Sequence, residues 1–200
     1  MGRIGGHKYM TNTDVGSLLF IKNKFGITTM VDVGCGTGGM EMAALYHGIR
    51  AIGIDGDPMV RPSIIHNFDD GPLSIPGTDL GWSIEFLEHM EEQYLDNVFS
   101  VFDRCKYVFC THNEHPGPWH ANCRDIAYWT GQFAKRGFRY DPKTTEGIKQ
   151  HSTMLREFVQ DTGQFFINEH RGDHGSQKEE DNGDSGVCLG GRPSGEKGRD

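Results

Sequence analysis

Apolar and polar positions along this chain repeat with two periods, and the switch between them lays out its elements. Val15, Leu18, Leu19 and Ile21 recur at helical spacing, which predicts a helix over Asp14–Lys24 with Asn12 or Thr13 to cap it and Gly26 to stop it. Strands are expected at Thr28–Val33 and Ala51–Ile54, joined by a helix over Gly39–His47 that Gly48 closes. A third strand is weakly marked at Ile64–Phe68, and Asp70-Gly71-Pro72 and Pro76-Gly77 signal loops after it. Strand Leu80–Ile84, a helix over about Phe86–Cys105, strand Tyr107–Thr111, a polar loop His112–Asn122 and a helix Asp125–Arg136 ending at Gly137 come next. Phe138–Tyr140 and Phe165–Asn168 read as the last strands, with a helix over Ser152–Thr162 between them. Alternating strands and helices predict an α/β fold: a doubly wound, mostly parallel, seven-stranded Rossmann-like sheet in a single domain.

Composition limits where that domain ends. The chain's 200 residues suit one core. Residues 171–200 contain eight glycines, no aromatic residue, and only Val187 and Leu189 as large aliphatics. They cannot bury enough surface to offset the entropy of ordering. A domain over 1–170 and a disordered polar tail over 171–200 are therefore expected. The net charge is −8, of which the tail supplies −2, so the body is acidic too. That disfavours a broad phosphate-tracking surface, and with it nucleic acid as partner. The five cysteines form no C-x-x-C pair and read as reduced thiols. No run approaches the length of a membrane span and no secretory leader stands out, so a soluble, cytoplasmic protein without membrane contact is expected.

The chemistry starts at the first turn. Gly34-Cys35-Gly36-Thr37-Gly38-Gly39 joins a strand to a helix, and Asp55 ends the second strand about 20 residues on. Glycines let the backbone turn sharply against a ligand, and an acid at that place can hold both hydroxyls of a ribose. The spelling also satisfies the dinucleotide pattern. Three features favour another nucleotide. Asp32 would face a pyrophosphate unfavourably but can pair with a sulfonium amino acid. The chain has no tyrosine followed four residues later by lysine, and no length for a separate substrate domain.

Val31–Gly39 together with Gly53-Ile54-Asp55-Gly56-Asp57-Pro58 resembles class I S-adenosylmethionine-dependent methyltransferases. The resemblance implies donor contacts at Asp32, Gly34, Cys35, Gly36, Gly38, Asp55 and Gly56. After the third strand it implies contacts at Asn67 (with Asp69 as rival) and Phe68, and at the end of the fourth strand at Ser83 or Trp82. Gly5-Gly6-His7-Lys8-Tyr9 is a candidate lid.

A second cluster follows the fourth strand. On a helix, Glu85, Glu88 and His89 stand at i, i+3 and i+4 and project from one face. Two carboxylates and an imidazole so placed repel unless a cation sits between them, and a divalent ion suits that donor set. The alternative reading is that the acids serve the positive end of a helix dipole. The E-x-x-E-H cluster, with a histidine after the fifth strand, is similar to small-RNA ribose 2′-O-methyltransferases. E-x-x-E-H alone is similar to ubiquinone-pathway O-methyltransferases, and Trp119-His120-Ala121-Asn122 with Tyr128-Trp129 looks like small sugar methyltransferases. These resemblances imply magnesium or manganese at Glu85, Glu88, His89 and His120, with His112 and His115 as rivals for the fourth place. His115 or His120, where not a ligand, is the candidate general base.

The expected function is metal-assisted O-methylation of a sugar or glycan hydroxyl with neighbouring hydroxyls, with S-adenosylmethionine as donor and a small-molecule or glycan acceptor as partner. An RNA-end ribose 2′-O-methyltransferase, a metal-free small-molecule methyltransferase and a non-catalytic S-adenosylmethionine-binding module are the alternatives.

Overall fold

The computed structural model describes residues 11–171. The candidate lid at Gly5–Tyr9 and residues 172–200 of the expected tail lie outside them. In chain order the elements are α1 (Val15–Phe25), β1 (Thr29–Val33), α2 (Gly39–Tyr46), β2 (Arg50–Asp55), β3 (Ile64–Ile65), β4 (Thr78–Ser83), α3 (Leu95–Phe102), β5 (Cys105–Cys110), α4 (Ile126–Ala134), β6 (Phe138–Tyr140), α5 (Pro142–His151), α6 (Phe158–Thr162) and β7 (Gln164–Asn168). Short 3-10 turns connect several of them.

The strands form one seven-stranded sheet in the order β3-β2-β1-β4-β5-β7-β6. All pairs from β3 to β5 are parallel, and β7 runs antiparallel to both β5 and β6. The order reverses between β1 and β4, which opens a crevice at the carboxyl ends of these strands where doubly wound folds bind ligands.

Strand alternation divides the core into two layers. Val31, Val33 and Val108 face a cluster with Phe99 of α3 and Phe133 of α4. Met30, Leu80, Trp82 and Phe109 face the opposite layer, with Leu18 and Ile21 of α1, Met40 of α2 and Ile148 of α5. The Phe133 and Phe166 rings stack at 3.9 Å. No helix among the described residues is long and apolar enough to cross a membrane.

Three element boundaries need correction. The helix expected over Phe86–Cys105 begins only at Leu95; before it the chain makes 3-10 turns at Leu87–His89 and Glu92–Tyr94. The Glu88 carbonyl accepts N–H groups from Ala121 and Asn122, both at 2.8 Å, which draws this segment out of a continuous helical ladder. The helix between β6 and β7 lies mainly at Pro142–His151, with only a short turn at Phe158–Thr162, not over Ser152–Thr162. Asp141 caps it and Pro142 starts it, but its buried face is Thr144, Thr145 and Ile148, so apolar periodicity does not reveal it. The third strand covers only Ile64–Ile65, because Asn67 caps a 3-10 turn over Phe68–Asp70.

Asp14, not Asn12 or Thr13, caps α1. Its buried carboxylate accepts from Ser17 N (3.0 Å) and Oγ (2.6 Å), Ser152 Oγ (2.5 Å), and Thr153 N (2.8 Å). It therefore caps one helix and staples the chain that follows another. Asp14→Ala leaves these donors without their acceptor. A loss of about 2 kcal/mol, the upper end for a capping residue, is expected in chemical denaturation.

Candidate donor and metal site

The donor half of the site is built from the ends of β1 and β2. Gly34 and Cys35 both donate their N–H to Ile54 O, at 2.9 and 3.1 Å, which folds the glycine turn over the second strand. Gly34 (φ +76°) and Gly36 (φ +52°) occupy the left-handed region that side chains disfavour. A Cβ on Gly34 would also lie 2.5 Å from the Phe86 ring, so this position admits only glycine. Gly38 (φ +78°) caps α2 and donates to Cys35 O.

Asp55 ties the turn to β2. Its carboxylate accepts the Gly36 N–H and the Asp57 N–H, each at 2.9 Å. Gly56 lies between these two acids. Asp32 is buried, and burial first, then the charges of Glu41 and Asp55, push its pKa up to about 8. Three acids on β1, α2 and β2 therefore surround one turn and favour a cationic ligand. Glu41 escaped the sequence reading, because an acid in a first helical turn looks like a complement to the helix dipole.

Other expected donor contacts are more enclosed. Ser83 is fully buried and donates its hydroxyl to Val33 O at 3.0 Å, bracing β4 against β1. Trp82 is fully buried against Phe109. Cys35 is buried, which raises its thiol pKa. Asn67 caps the turn after β3 through its bond from Asp69 N, and the Phe68 ring sits in the core while its carbonyl accepts from Asn97 Nδ2 at 2.7 Å. Phe86 packs over Gly34 and against Phe68 at 6.0 Å between ring centroids, a closure that no sequence signal announced.

The stability of the ligand-free fold should carry a pH signature. Asp32 ionises less readily in the fold than in the unfolded chain. Its contribution to stability is fully present below about pH 3.8 and is lost as pH rises through about 8. The melting temperature of ligand-free protein is expected to fall across that window. Asp32→Asn should flatten the fall, as calorimetric melting at several pH values would show.

The second half of the site lies across the crevice. Glu85, Glu88 and His89 do not share a helical face, which corrects the sequence expectation. Glu85 lies two residues after the end of β4, itself in the left-handed region (φ +52°). Thr111 Oγ1 accepts from Glu85 N at 2.9 Å and donates to its carboxylate at 2.8 Å, and Asn113 Nδ2 adds a bond at 3.3 Å. Strain of this kind costs about 1–3 kcal/mol and gathers at functional sites.

Glu88, His89 and His120 converge instead, with one potential ligand atom from each lying within 4.8 Å of the others. His89 Nδ1 bonds to Trp119 O at 3.0 Å and His120 Nδ1 to His115 O at 2.8 Å. A carbonyl only accepts, so both Nδ1 atoms carry the proton and both Nε2 atoms present a lone pair. Trp119, whose carbonyl orients His89, is itself left-handed (φ +69°). The Glu88 carboxylate is 1% exposed and neither oxygen makes a hydrogen bond of good geometry, although the N–H groups of Glu88 and Asn113 lie near enough to favour its ionised form. Burial first, then the Glu85 charge, raises its pKa to about 8. An under-satisfied buried carboxylate facing two oriented imidazoles fits a divalent cation. Glu85 stands beside this group, its oxygens held by Thr111 and Asn113.

The two rival histidines go elsewhere. His112 is buried against Trp129, and burial lowers its pKa to about 4, so it is neutral and outside the cluster. His115 is exposed at the rim and contributes its carbonyl to His120.

No protein-family model and no curated protein sequence matches the chain. Its fold recurs in solved structures. One is a complex between the Haloferax volcanii Trm112 methyltransferase activator and a methyltransferase, at 16% identity and TM-score 0.55, covering 77% of this chain and 89% of that one. Another is the methyltransferase domain of bacterial CtHen1, at 14% identity and TM-score 0.50, covering 76% and 95%. A third is the mitomycin 7-O-methyltransferase MmcR, at 15% identity and TM-score 0.51; the match covers 76% of this chain but only 51% of that one. At such identities the likeness establishes the fold, which is the Rossmann-like methyltransferase fold.

Proposed function

We propose that this chain is an S-adenosylmethionine-dependent O-methyltransferase that uses magnesium or manganese and acts on a sugar or glycan hydroxyl flanked by another hydroxyl. The observation that carries this reading is Glu88, a buried carboxylate without a hydrogen bond of good geometry beside two imidazoles, at the same strand ends as the glycine turn.

Asp55 holds the two ribose hydroxyls of the donor with the acceptor sites left beside its bonds from Gly36 and Asp57. Asp32 pairs with the donor's cationic end, and the close-packed turn at Gly34 and Gly36 sets the distance between donor and β1. Bound S-adenosylmethionine supplies the electrophilic methyl. Glu88, His89 and His120 would hold a divalent ion, with Glu85 adding negative charge next to it. Such an ion would supply Lewis acidity that makes an acceptor hydroxyl easier to deprotonate. An acceptor with neighbouring hydroxyls would suit an oxygen-seeking cation. His115, exposed at the rim, takes the proton released from the acceptor oxygen. The remaining contribution of the fold is to hold donor and acceptor in near-attack geometry.

The test is radiolabelled methyl transfer from S-adenosylmethionine to three acceptor classes, neutral oligosaccharides, 3′-terminal ribonucleotides and catechols, each with and without manganese. Manganese-dependent labelling of the oligosaccharides is expected. Labelling of the ribonucleotides alone would move the acceptor to an RNA end. Donor binding without any transfer would leave a binding module.

A further inference from the structure

A second polar hollow lies at the opposite end of the sheet, at the amino-terminal ends of β1, β2, β4 and β5. It is an open basin of about 550 Å³ whose lining includes Arg50, Thr78, Asp79, Arg104, Lys106 and Arg171. Four cations thus face one carboxylate, on a chain with 28 acidic and only 20 basic residues.

Asp79 is already committed. It accepts from Thr28 N at 2.8 Å and Oγ1 at 3.0 Å and from Thr29 N at 3.1 Å, and it pairs with Lys106 Nζ at 3.1 Å. Partial burial opposes its ionised form, but the bonds from Thr28, Lys106 and Thr29 outweigh that and hold its pKa down at about 2. It stays charged and offsets Lys106. The three arginines have no such partner among the described residues. Arg104 Nε donates to Ile75 O at 3.1 Å, which fixes the side chain and leaves its terminal nitrogens for other acceptors. Among the described residues, no carboxylate forms a salt bridge with Arg50, Arg104 or Arg171. Asp103 feels Arg171 through space but shares its field with Arg136.

We infer that this basin binds the phosphates of a small phosphate-bearing molecule carrying at least two of them. Guanidinium forks match phosphate oxygens bidentately, and several unpaired arginines around one hollow repel each other until an anion arrives. The volume suits a small ligand. Among the described residues no aromatic ring lines the basin, which favours recognition of charge and not of a base. The chain's net charge of −8 opposes a long polyanion running past the basin. The position, a sheet's length from the glycine turn and Glu88, makes this a separate site and not part of the donor or acceptor pocket.

The probe is pyrophosphate, titrated calorimetrically into the full-length protein at low ionic strength. One equivalent should bind and raise the melting temperature. Arg50→Ala and Arg171→Ala should each weaken binding about tenfold or more, because each removes a charge-assisted contact. Arg50→Lys, which keeps the charge but not the fork, should fall between. Both arginines are exposed and have no ion-pair partner among the described residues, so the variants should fold. Without pyrophosphate they should melt at or above the wild-type temperature, since repulsion is relieved. S-adenosylhomocysteine affinity should be unchanged in all of them. Absence of pyrophosphate binding at millimolar concentration, or equal binding by wild type and both alanine variants, would overturn the inference. So would an oligoribonucleotide that binds through Arg50 far more tightly than pyrophosphate, since the site would then serve a polymer.

Discussion

Glu88→Ala is expected to lose methyl transfer by about a thousandfold or more while binding S-adenosylhomocysteine as the wild type does. Stabilising charge with a coordinated cation contributes several kcal/mol to a transition state, and each 1.4 kcal/mol is about a factor of ten in rate. Glu88 is the only acid in the group of three, and the cation it would hold faces the acceptor, not the donor. The same reasoning predicts that exhaustive chelation silences the wild type and that manganese restores it. Glu88→Gln offers an independent readout. It removes a buried carboxylate whose ionised form is disfavoured by burial and by Glu85. Metal-free protein should therefore melt higher in the variant than in the wild type at pH 8, and manganese should reverse the order by stabilising only the wild type. Undiminished turnover after chelation would refute the metal assignment, and Glu88 would then be a neutral buried acid packed beneath the loop.

Donor binding gives the second large effect. Asp55→Ala should weaken S-adenosylhomocysteine by about 2–3 kcal/mol, or roughly 30- to 150-fold, through loss of a charge-assisted ribose contact. The structure adds a reason for the upper part of that range. The Asp55 carboxylate also holds the Gly36 and Asp57 N–H groups, so its loss loosens the turn that receives the donor. Asp55→Asn retains one acceptor oxygen and should fall between the two. Isothermal titration that finds unchanged affinity in Asp55→Ala, or tighter binding of NAD by the wild type, would remove the donor site from this turn.

Most of the sheet was legible because its signals are local. Met30–Val33 running into Gly34 and Gly36 needs no distant partner to be read: the strand is a short apolar run, and the glycines sit where φ is positive. The same holds for the strands of β4 and β5 and for the cap of α4 at Asp125. The helix at Pro142–His151 was missed because its buried positions are largely threonines, and Thr145 earns its place by a hydroxyl bond to Phe165 N that only the folded chain supplies.

The candidate metal ligands divide in the same way. Helical spacing grouped Glu85, Glu88 and His89, and the family resemblance added His120, but no helix carries the first three. Glu85 is turned aside by Thr111 and Asn113, residues after the next strand. His112 and His120 are indistinguishable as letters in one polar loop. Packing against Trp129 buries the first, while the carbonyl of His115 orients the second toward Glu88 and His89.

By itself, then, the sequence determined the βαβ entry, the glycine turn and the identity of the acids near it, because periodicity and glycine stereochemistry act over a few residues. Only the tertiary structure decided which acids are buried, which imidazole nitrogens are presented, and that Glu41 joins Asp32 and Asp55 around one turn. It alone gathered Arg50, Arg104 and Arg171 around a basin. Burial and through-space charge depend on bringing together residues far apart in the chain, as Arg50 and Arg171 are. No local pattern encodes that.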